Sequence, residues 1–513
     1  SWDYRGNSRL PVITYGNLDV TDAASWRWIS SPAANTTGSE IRIRPQGVDN
    51  TFDTGKLDLD FAINETFTLR GGMSYKRFDM DTWEFRRSSE TSVPALPTGT
   101  TVADISTLVT GFGRGLDGRG PSAWLIPDLN AIASLFDIYC NCNTGVPGGD
   151  FTLSSITNGN ARGNNRSISE EDWGGYLQLD FNTDLIGQPL RGNLGVRYAT
   201  TDIEASGYTS VGGGSAVTVS NDYKDWLPSL NLAWDVTDDV VLRFGAAKVM
   251  ARPQLGNLSP GAGITTTGSP NIRVGNPYLQ PFRAKTYDFS AEWYFAEDSV
   301  LSLALFYKDI ETYIQELREN IAYRDTGLPL EWVPSTFWDV QFDVRTPINT
   351  PGGPLKGFEL NYQQPFTFLP GGFRHFGMLL NYTHVESDID YAVPGSFPVT
   401  YIANDLVNVS PDSYNATLYY DNDRFSARVS TSFRDDYLQR VPGQNNNDVE
   451  GKRSARSVDV SMSYKWNKRL TLTLEGLNLT DEFNDQYVDS TGDRASVYHH
   501  TGRQYYVGAR FNF

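Results

Sequence analysis

The chain contains few residues that support redox or metal chemistry. Its 513 residues include 2 cysteines, 4 histidines and 5 methionines. This excludes a disulfide scaffold, and we expect neither a metal site nor a cofactor. Long hydrophobic runs are also missing, since no stretch approaches the roughly 18 to 20 apolar residues of a membrane-spanning helix. Helical membrane proteins are therefore excluded, whereas membrane β-barrels remain possible because their strands alternate apolar and polar residues.

Positive charge is scarce as well. Acidic residues outnumber basic residues by 61 to 43, which gives a net charge of −18. Such a protein repels DNA and RNA unless one face is locally basic, and no basic face is visible in the sequence. We expect no nucleic-acid partner and no strongly anionic ligand. Because no catalytic arrangement of serine, histidine or paired carboxylates stands out, we also expect no enzyme and no catalytic residues.

The dominant pattern is alternation with a period of two, which is typical of β-strands. In 287–295 the odd positions are apolar or aromatic, whereas Asp288, Ser290 and Glu292 occupy even positions. About fifteen segments show this alternation: 55–63, 66–79, 171–182, 189–204, 222–236, 239–251, 284–296, 299–312, 354–367, 371–388, 412–420, 423–439, 455–466, 469–480 and 502–513.

The connections between these segments alternate between short turns and long polar loops. This layout is typical of an outer-membrane barrel, which has short periplasmic turns and long extracellular loops. A soluble propeller is the alternative, but no blade repeat is visible. We predict an all-β fold, an antiparallel transmembrane β-barrel over 55–513, with 1–54 as an extracellular region in which Glu40–Arg44 could add a strand.

The alternation also predicts which side chains face the lipid. A shift of one residue would place charged side chains in the membrane, so the register is strongly constrained. We expect one set to point outward and a second set, with Arg428, to point into the lumen. The outward set is Phe289, Trp293, Val460, Leu472 and Phe511, and the lumen set is Asp288, Glu292, Asp459, Thr473 and Arg510.

Several short sequence blocks follow one another over 195–513. They are Gly195-Val196-Arg197-Tyr198, Leu227-Pro228-Ser229-Leu230-Asn231, Ala251-Arg252-Pro253, Asn276-Pro277-Tyr278-Leu279-Gln280-Pro281, Ala284-Lys285-Thr286-Tyr287-Asp288, Phe306-Tyr307-Lys308-Asp309-Ile310 and Gly476-Leu477-Asn478-Leu479-Thr480-Asp481. Together, in this order and spacing, these blocks resemble TonB-dependent outer-membrane receptors, in particular the branch common in Xanthomonas- and Caulobacter-like bacteria.

This resemblance implies a 22-stranded barrel in the outer membrane of a Gram-negative bacterium, with an N-terminal plug. It implies import of a scarce nutrient, energised by the TonB-ExbB-ExbD system, and contacts with lipid and lipopolysaccharide. For this branch it favours a carbohydrate or related organic ligand over an iron siderophore. Since about fifteen strands are visible and no plug precedes them, we expect the chain to be the C-terminal part of a longer protein. The alternative is a passive porin-like barrel.

Two loop features leave more than one interpretation open. Trp124, Trp332 and Trp338 lie in long loops, where flat rings can stack on sugars or on aromatic ligands. They can equally hold the loops together, because loops of this length need small cores of their own. Cys140 and Cys142 are separated by one residue, and both a local disulfide and a reduced pair are compatible with the sequence.

The final residue, Phe513, yields a prediction about biogenesis. A C-terminal aromatic residue on an amphipathic last strand resembles the signal that the barrel-assembly machinery reads. Burial of one aromatic side chain contributes only a few kcal/mol to folding, so deletion of Phe513 should reduce the yield of inserted barrel far more than its stability. The measurement is the amount of heat-modifiable barrel in outer-membrane fractions. An unchanged amount would contradict this role.

Overall fold

The computed structural model describes residues 2–3, 5, 11–30, 38–111, 120–208, 216–266, 269–326, 328, 330, 333–393, 400–443, 447–491, 494–499 and 501–513. Fifteen long antiparallel strands form a barrel, each paired with the next along the chain. They are β1 Gln46–Ala62, β2 Phe67–Glu84, β3 Arg166–Leu185, β4 Gln188–Tyr208, β5 Ala216–Thr237, β6 Val240–Ala251, β7 Phe282–Ala296, β8 Ser299–Ala322, β9 Gly353–Pro365, β10 Phe376–Ser387, β11 Asp412–Asp421, β12 Phe425–Arg434, β13 Ala455–Lys465, β14 Leu470–Leu477 and β15 Gln504–Phe511.

Each of the fifteen predicted segments corresponds to one of these strands, so the predicted all-β barrel is confirmed. The differences lie at strand ends. Strand β1 begins at Gln46 and β8 continues to Ala322, whereas the expected strand at Glu40–Arg44 has no strand structure. Above a membrane, loops and water cover both faces of a strand, so a strand can continue there without alternating apolar and polar residues. The alternation pattern therefore does not indicate where such strands end.

The registers trace one apolar face around the whole barrel, because cross-strand partners lie on the same face. All five residues predicted to point outward lie on this face, and all five predicted lumen residues, with Arg428, lie on the other. One apolar residue from each strand in order is Phe61, Leu69, Leu179, Leu194, Leu232, Phe244, Phe289, Leu305, Phe358, Leu380, Leu418, Val429, Val460, Leu472 and Phe511.

The polar face is the concave one. The hydroxyl of Tyr176 in β3 donates to Asp58 in β1 at 2.7 Å, although β2 lies between them. The contact passes over Gly72, where an added Cβ would lie 2.6 Å from the Tyr176 ring and 2.7 Å from the Asp58 carboxylate. Side chains two strands apart converge only on the inner side of a curved sheet. The polar face therefore lines the lumen, and the apolar face points outward.

Aromatic residues border the apolar face at both levels. At the upper level Trp173 packs against Tyr75 with ring centroids 4.7 Å apart, and Trp226 against Tyr198 at 4.8 Å. At the lower level Trp293 packs against Phe295 at 5.2 Å. Two such girdles around an apolar band mark the membrane interfaces of an outer-membrane barrel. We call them the upper and lower belts.

Short turns join the strands below the lower belt, and long excursions join them above the upper belt. We call these the turn end and the loop end. No helix in the described part of the chain is long and apolar enough to span a membrane. The further elements are the strands Trp2–Asp3, Val12–Ile13, Arg86–Arg87, Ser106–Thr110, Ala123–Pro127, Leu153–Ser154, Ala262–Thr265, Asn271–Val274, Gln341–Thr350, Ile389–Ala392, Tyr401–Asn404, Tyr437–Arg440, Glu450–Lys452, Gln486–Val488 and Arg494–Val497, the α-helices Leu129–Phe136 and Gly159–Arg162, and the 3-10 helices Ala23–Ser25, Val102–Ile105, Leu255–Leu258, Tyr323–Asp325, Ser335–Phe337 and Gly371–His375.

The loop end has its own buried cores. The excursion between β2 and β3 packs around a cluster that includes Val93, Ile132 and Phe151. Arg87 is buried beside it, donates to the carbonyl oxygens of Ser92 and Asp150, and lies 4.5 Å from the centre of the Phe151 ring. Burial lowers the pKa of Arg87, because water no longer solvates its charge. Backbone carbonyls therefore replace water around this guanidinium and fix the excursion above the barrel.

The face assignment predicts opposite effects of adjacent substitutions in β5. Leu230 lies on the apolar face between Trp226 of the upper belt and Trp234, which lies near the turn end of the same strand, and Ser229 lies on the lumen face. Leu230→Arg should destabilise the barrel by about 2 to 4 kcal/mol, whereas Ser229→Arg should cost less than about 1 kcal/mol. Urea unfolding in lipid bilayers measures both. Equal effects of the two substitutions would contradict the assigned faces.

Candidate functional site

Two of the three tryptophans predicted to bind the ligand, Trp124 and Trp338, lie in the described part of the chain, and both make contacts within the loops. Trp338 packs in the cluster around Phe342, and its indole nitrogen donates to the carbonyl oxygen of Leu330 at 3.0 Å. Trp124 packs edge-on against Tyr15 with centroids 5.3 Å apart. Trp332 lies outside the described residues, so the ligand role of all three remains a prediction.

Phe513 and the cysteine pair have separate locations. Phe513 is fully exposed at the turn end and packs edge-on against Phe511 at 5.2 Å, and its role in assembly remains a prediction. Cys140 and Cys142 form a disulfide in the excursion between β2 and β3. With Asp137 they are the one group of potential metal ligands found among the described residues. The disulfide leaves no thiolate to bind an ion.

A cavity of about 440 Å³ lies at the loop end, and we call it the arginine cavity. Four arginines line it, Arg86, Arg166, Arg273 and Arg345, against one described acidic residue, Glu316. Arg166 is the first residue of β3, and Glu316 belongs to the part of β8 above the upper belt. The other three arginines come from short strands of the excursions. The barrel thus brings together side chains that are far apart in sequence.

Backbone and amide groups complete the wall of the cavity. Asn164, Asn257 and Asn271 line it beside five glycines. The segments pack closely there: a Cβ added to Gly163 would lie 2.5 Å from the carbonyl oxygen of Ala262. Larger side chains at such contacts would force the segments apart. Amide N–H groups next to guanidinium groups are donors suited to carboxylate or phosphate oxygens.

The positive charges of the cavity are only partly compensated. Arg86 is paired with Glu84 at 2.6 Å, and Arg345 with Asp343 at 2.8 Å. Neither Arg166 nor Arg273 forms an ion pair with any residue that the structure describes. Burial lowers the pKa of Arg166, and its Nε has no hydrogen-bond partner within the described chain. A guanidinium retains its charge in proteins, so a partly buried unpaired arginine favours an anion from outside.

A second cavity of about 730 Å³ adjoins the first and shares Asn271 and Arg345 with it. Arg318 lines this second cavity and is 4% exposed. It donates from Nε to Glu316 at 2.6 Å, which also offsets the acidic charge of the arginine cavity. The Nη2 of Arg318 also lies 2.6 Å from Glu316, and burial lowers the pKa of Arg318. Glu319, Asp343 and Asp448 line the second cavity as well, so of these two cavities only the arginine cavity has more arginines than described acidic residues.

This finding corrects the expectation that no basic face exists. The overall charge of −18 is correct, but charge averaged over the chain does not describe one cavity. The four arginines are far from one another in sequence. They meet only because β3 and three excursions converge at the loop end. The one sequence signal for these arginines is that Arg86 and Arg345 each follow an acidic residue by two positions. This spacing is too common to indicate a cavity.

Several solved structures similar to this chain are receptors and transporters. The siderophore receptor PiuA from Acinetobacter baumannii matches with a TM-score of 0.51 at 15% identity, covering 92% of this chain and 56% of that chain. The unliganded ferric citrate transporter FecA gives 0.53 at 10%, covering 93% and 56%. The copper transporter OprC gives 0.54 at 13%, covering 92% and 58%. At these identities the likeness shows the fold, and the chain spans a little over half the length of each structure.

Sequence comparisons assign the family. A search of curated proteins finds no match to this chain. The family profile described as "TonB dependent receptor-like, beta-barrel" matches residues 1–479, which is most of the chain. The fifteen-stranded antiparallel barrel, its belts and its long loops at one end agree with that match. The chain therefore belongs to the family of TonB-dependent receptor-like β-barrels.

Proposed function

We propose that this protein is an outer-membrane receptor that imports a small anionic ligand, energised by the TonB-ExbB-ExbD system. The arginine cavity captures the ligand at the loop end, directly above the polar lumen through which the ligand would pass. The single observation that carries this proposal is the wall of four arginines against one described acidic residue. No covalent chemistry is required, because capture and energised release suffice.

The electrostatics support an anion in spite of the acidic surface. Leaving a charge partly buried without a partner is unfavourable by several kcal/mol, and the Nε of Arg166 has no hydrogen-bond partner in the described chain. A ligand with two or more carboxylate or phosphate groups would pair with Arg166 and Arg273. Each charge-assisted hydrogen bond contributes about 1.5 to 3 kcal/mol. The same wall offers no comparable advantage to a neutral molecule.

This ligand class differs from the carbohydrate expected from the sequence. The similar solved structures are named for a siderophore, ferric citrate and copper, and none supports a carbohydrate. Trp124 packs against Tyr15, and Trp338 donates to the carbonyl oxygen of Leu330, so both make contacts within the loops. The family match also does not favour a passive porin. A metal chelate that carries carboxylates fits both the cavity and the family.

Other partners follow from the family and the surface. The apolar face between the two belts would contact lipid, and the outward surface above the upper belt would contact lipopolysaccharide. Insertion would require the barrel-assembly machinery, with Phe513 as part of the signal. The TonB system would act through a plug, as the family resemblance implies.

The anion site predicts a selective loss of binding. The double variant Arg166→Gln/Arg273→Gln should bind citrate, a small polycarboxylate probe, about 10- to 100-fold more weakly, because charge-assisted hydrogen bonds are lost. Isothermal titration calorimetry of the purified protein in detergent measures this. The matched control is Arg324→Gln, since Arg324 is an exposed loop arginine paired with Asp339 at 2.6 Å outside the cavity.

Two outcomes would contradict the proposal. One is unchanged citrate affinity in the double variant, and the other is an equal loss in Arg324→Gln, which would indicate a diffuse surface effect. Titration with an oligosaccharide adds a direct comparison. If the oligosaccharide binds more tightly than citrate and Trp338→Ala abolishes its binding, the carbohydrate hypothesis replaces the anion hypothesis.

A further inference from the structure

The excursion between β6 and β7, described at 252–266 and 269–281, forms most of the arginine cavity. It contributes ten of the 17 lining residues, Arg273 among them. We call it the cavity loop. Its first residue is Arg252, from the block Ala251-Arg252-Pro253 whose role the barrel itself does not explain. The position of this loop decides whether the cavity exists.

Arg252 attaches the loop to a buried pair of acids on the inner side of β3. Its Nη2 lies 2.7 Å from Asp172 and its Nε lies 3.7 Å from Glu170. The same Nε donates to the Thr201 hydroxyl at 3.0 Å, and that hydroxyl donates to Asp172 at 2.6 Å. Glu170 is 4% exposed and Asp172 is 5% exposed. One guanidinium therefore faces two buried carboxyl groups.

Apolar contacts attach the loop at the same place. Leu258 and Leu279 of the cavity loop are fully buried against Ile168, Ile203 and Tyr223 of β3, β4 and β5. If the loop moved away from the barrel wall, this cluster and the acid pair would both become hydrated. The attached and detached states therefore differ sharply in how the two acids are solvated.

The hydrogen-bonding capacity of the acid pair is not fully satisfied within the described chain. One oxygen of each carboxyl, Oε2 of Glu170 and Oδ2 of Asp172, has no hydrogen-bond partner in the described chain. The charged and titratable groups around the pair are Arg252 from the loop, Tyr223 from β5, Lys76, which lies opposite Asp172 in the register of β2 and β3, and Arg197 of β4, which lines the same small cavity. Among these cations of the described chain, only Arg252 lies within ion-pair distance of the two carboxyl groups. The pair therefore keeps an excess negative charge at close range, which one proton would remove.

We propose that Arg252 is a positioning residue that holds the cavity loop on the Glu170–Asp172 pair, and that this attachment takes up one proton, so that the loop is held below neutral pH and released above it. The effect on ligand capture rests on the anion site proposed above. The attachment of the loop itself does not depend on that site.

The direction of the pH effect follows from solvation. Glu170 lies above the upper belt, and burial, together with the charge of Asp172, raises its pKa to about 7. In the detached state the carboxyl group meets water and returns to its ordinary pKa of about 4.3. The attached state thus binds the proton more strongly, and its advantage is lost as the pH rises through 7. Linkage predicts about a tenfold weaker attachment at pH 8.5 than at pH 6.

Hydrogen–deuterium exchange of the ligand-free protein in detergent tests this directly. The amides of Leu255–Leu258 and Ala262–Thr265, corrected for intrinsic exchange rates, should lose about tenfold protection between pH 6 and pH 8.5. Glu170→Gln should keep protection at both pH values, because a neutral amide mimics the protonated acid. Arg252→Ala should lose protection at both, and Arg252→Lys should restore part of it.

The control is Glu171→Gln. Glu171 is the neighbouring acid, pairs with Arg77 at 3.0 Å and is well exposed. This variant should keep the wild-type pH profile. A Glu170→Gln profile that falls as in wild type, or a Glu171→Gln profile that becomes flat, would overturn the proposal.

Citrate binding separates the two proposals. If the loop responds to pH as expected but citrate does not bind, the anion site fails and the loop attachment stands. Because citrate itself loses a proton between pH 6 and pH 8.5, wild type is compared with Glu170→Gln at each pH. We expect similar citrate affinities at pH 6 and up to about tenfold weaker binding by wild type at pH 8.5. Equal affinities of the two proteins at pH 8.5, while their loop protection differs, would show that the link between attachment and capture is wrong.

Discussion

Pairing of backbone hydrogen bonds inside a membrane is the constraint on which the rest of this structure depends. Lipid offers no partner for an exposed N–H or C=O group, so a strand can cross only beside other strands. The antiparallel registers pair each strand from β1 to β15 with its neighbour along the chain, and they fix which side chain points outward at every step. The apolar band, the two belts and the polar lumen all follow from that pairing.

Above the upper belt, water can pair with backbone groups, so the constraint on strand pairing no longer applies. The arginine cavity lies in this region. Strands β3 and β8 continue past the membrane and carry Arg166 and Glu316 into the loop end. There, excursions with small cores of their own surround charged groups that lipid would not tolerate. The rigid barrel positions these groups, and the loops supply the amide and guanidinium donors that a ligand would meet.

The fold could be predicted from the sequence and the site could not, for a physical reason. Alternation between residues such as Phe289 and Asp288 is local, so the sequence reveals it directly. The arginine cavity depends on contacts between residues as distant as Arg86 and Arg345, and no local pattern indicates them. Tryptophans in the loops suggested a sugar site, but Trp338 packs into a loop core. The block around Arg252 was recognised, although its contact with Asp172 required the structure.

The central claim is that the arginine cavity binds anions in a protein whose net charge is strongly negative. The most direct measurement is anomalous X-ray diffraction from crystals of the protein soaked in selenate, whose selenium atom reports the position of the anion. The account predicts an anomalous peak inside the cavity, within hydrogen-bonding distance of Arg166 and Arg273. Selenate bound only elsewhere on the protein, with the cavity empty, would contradict it.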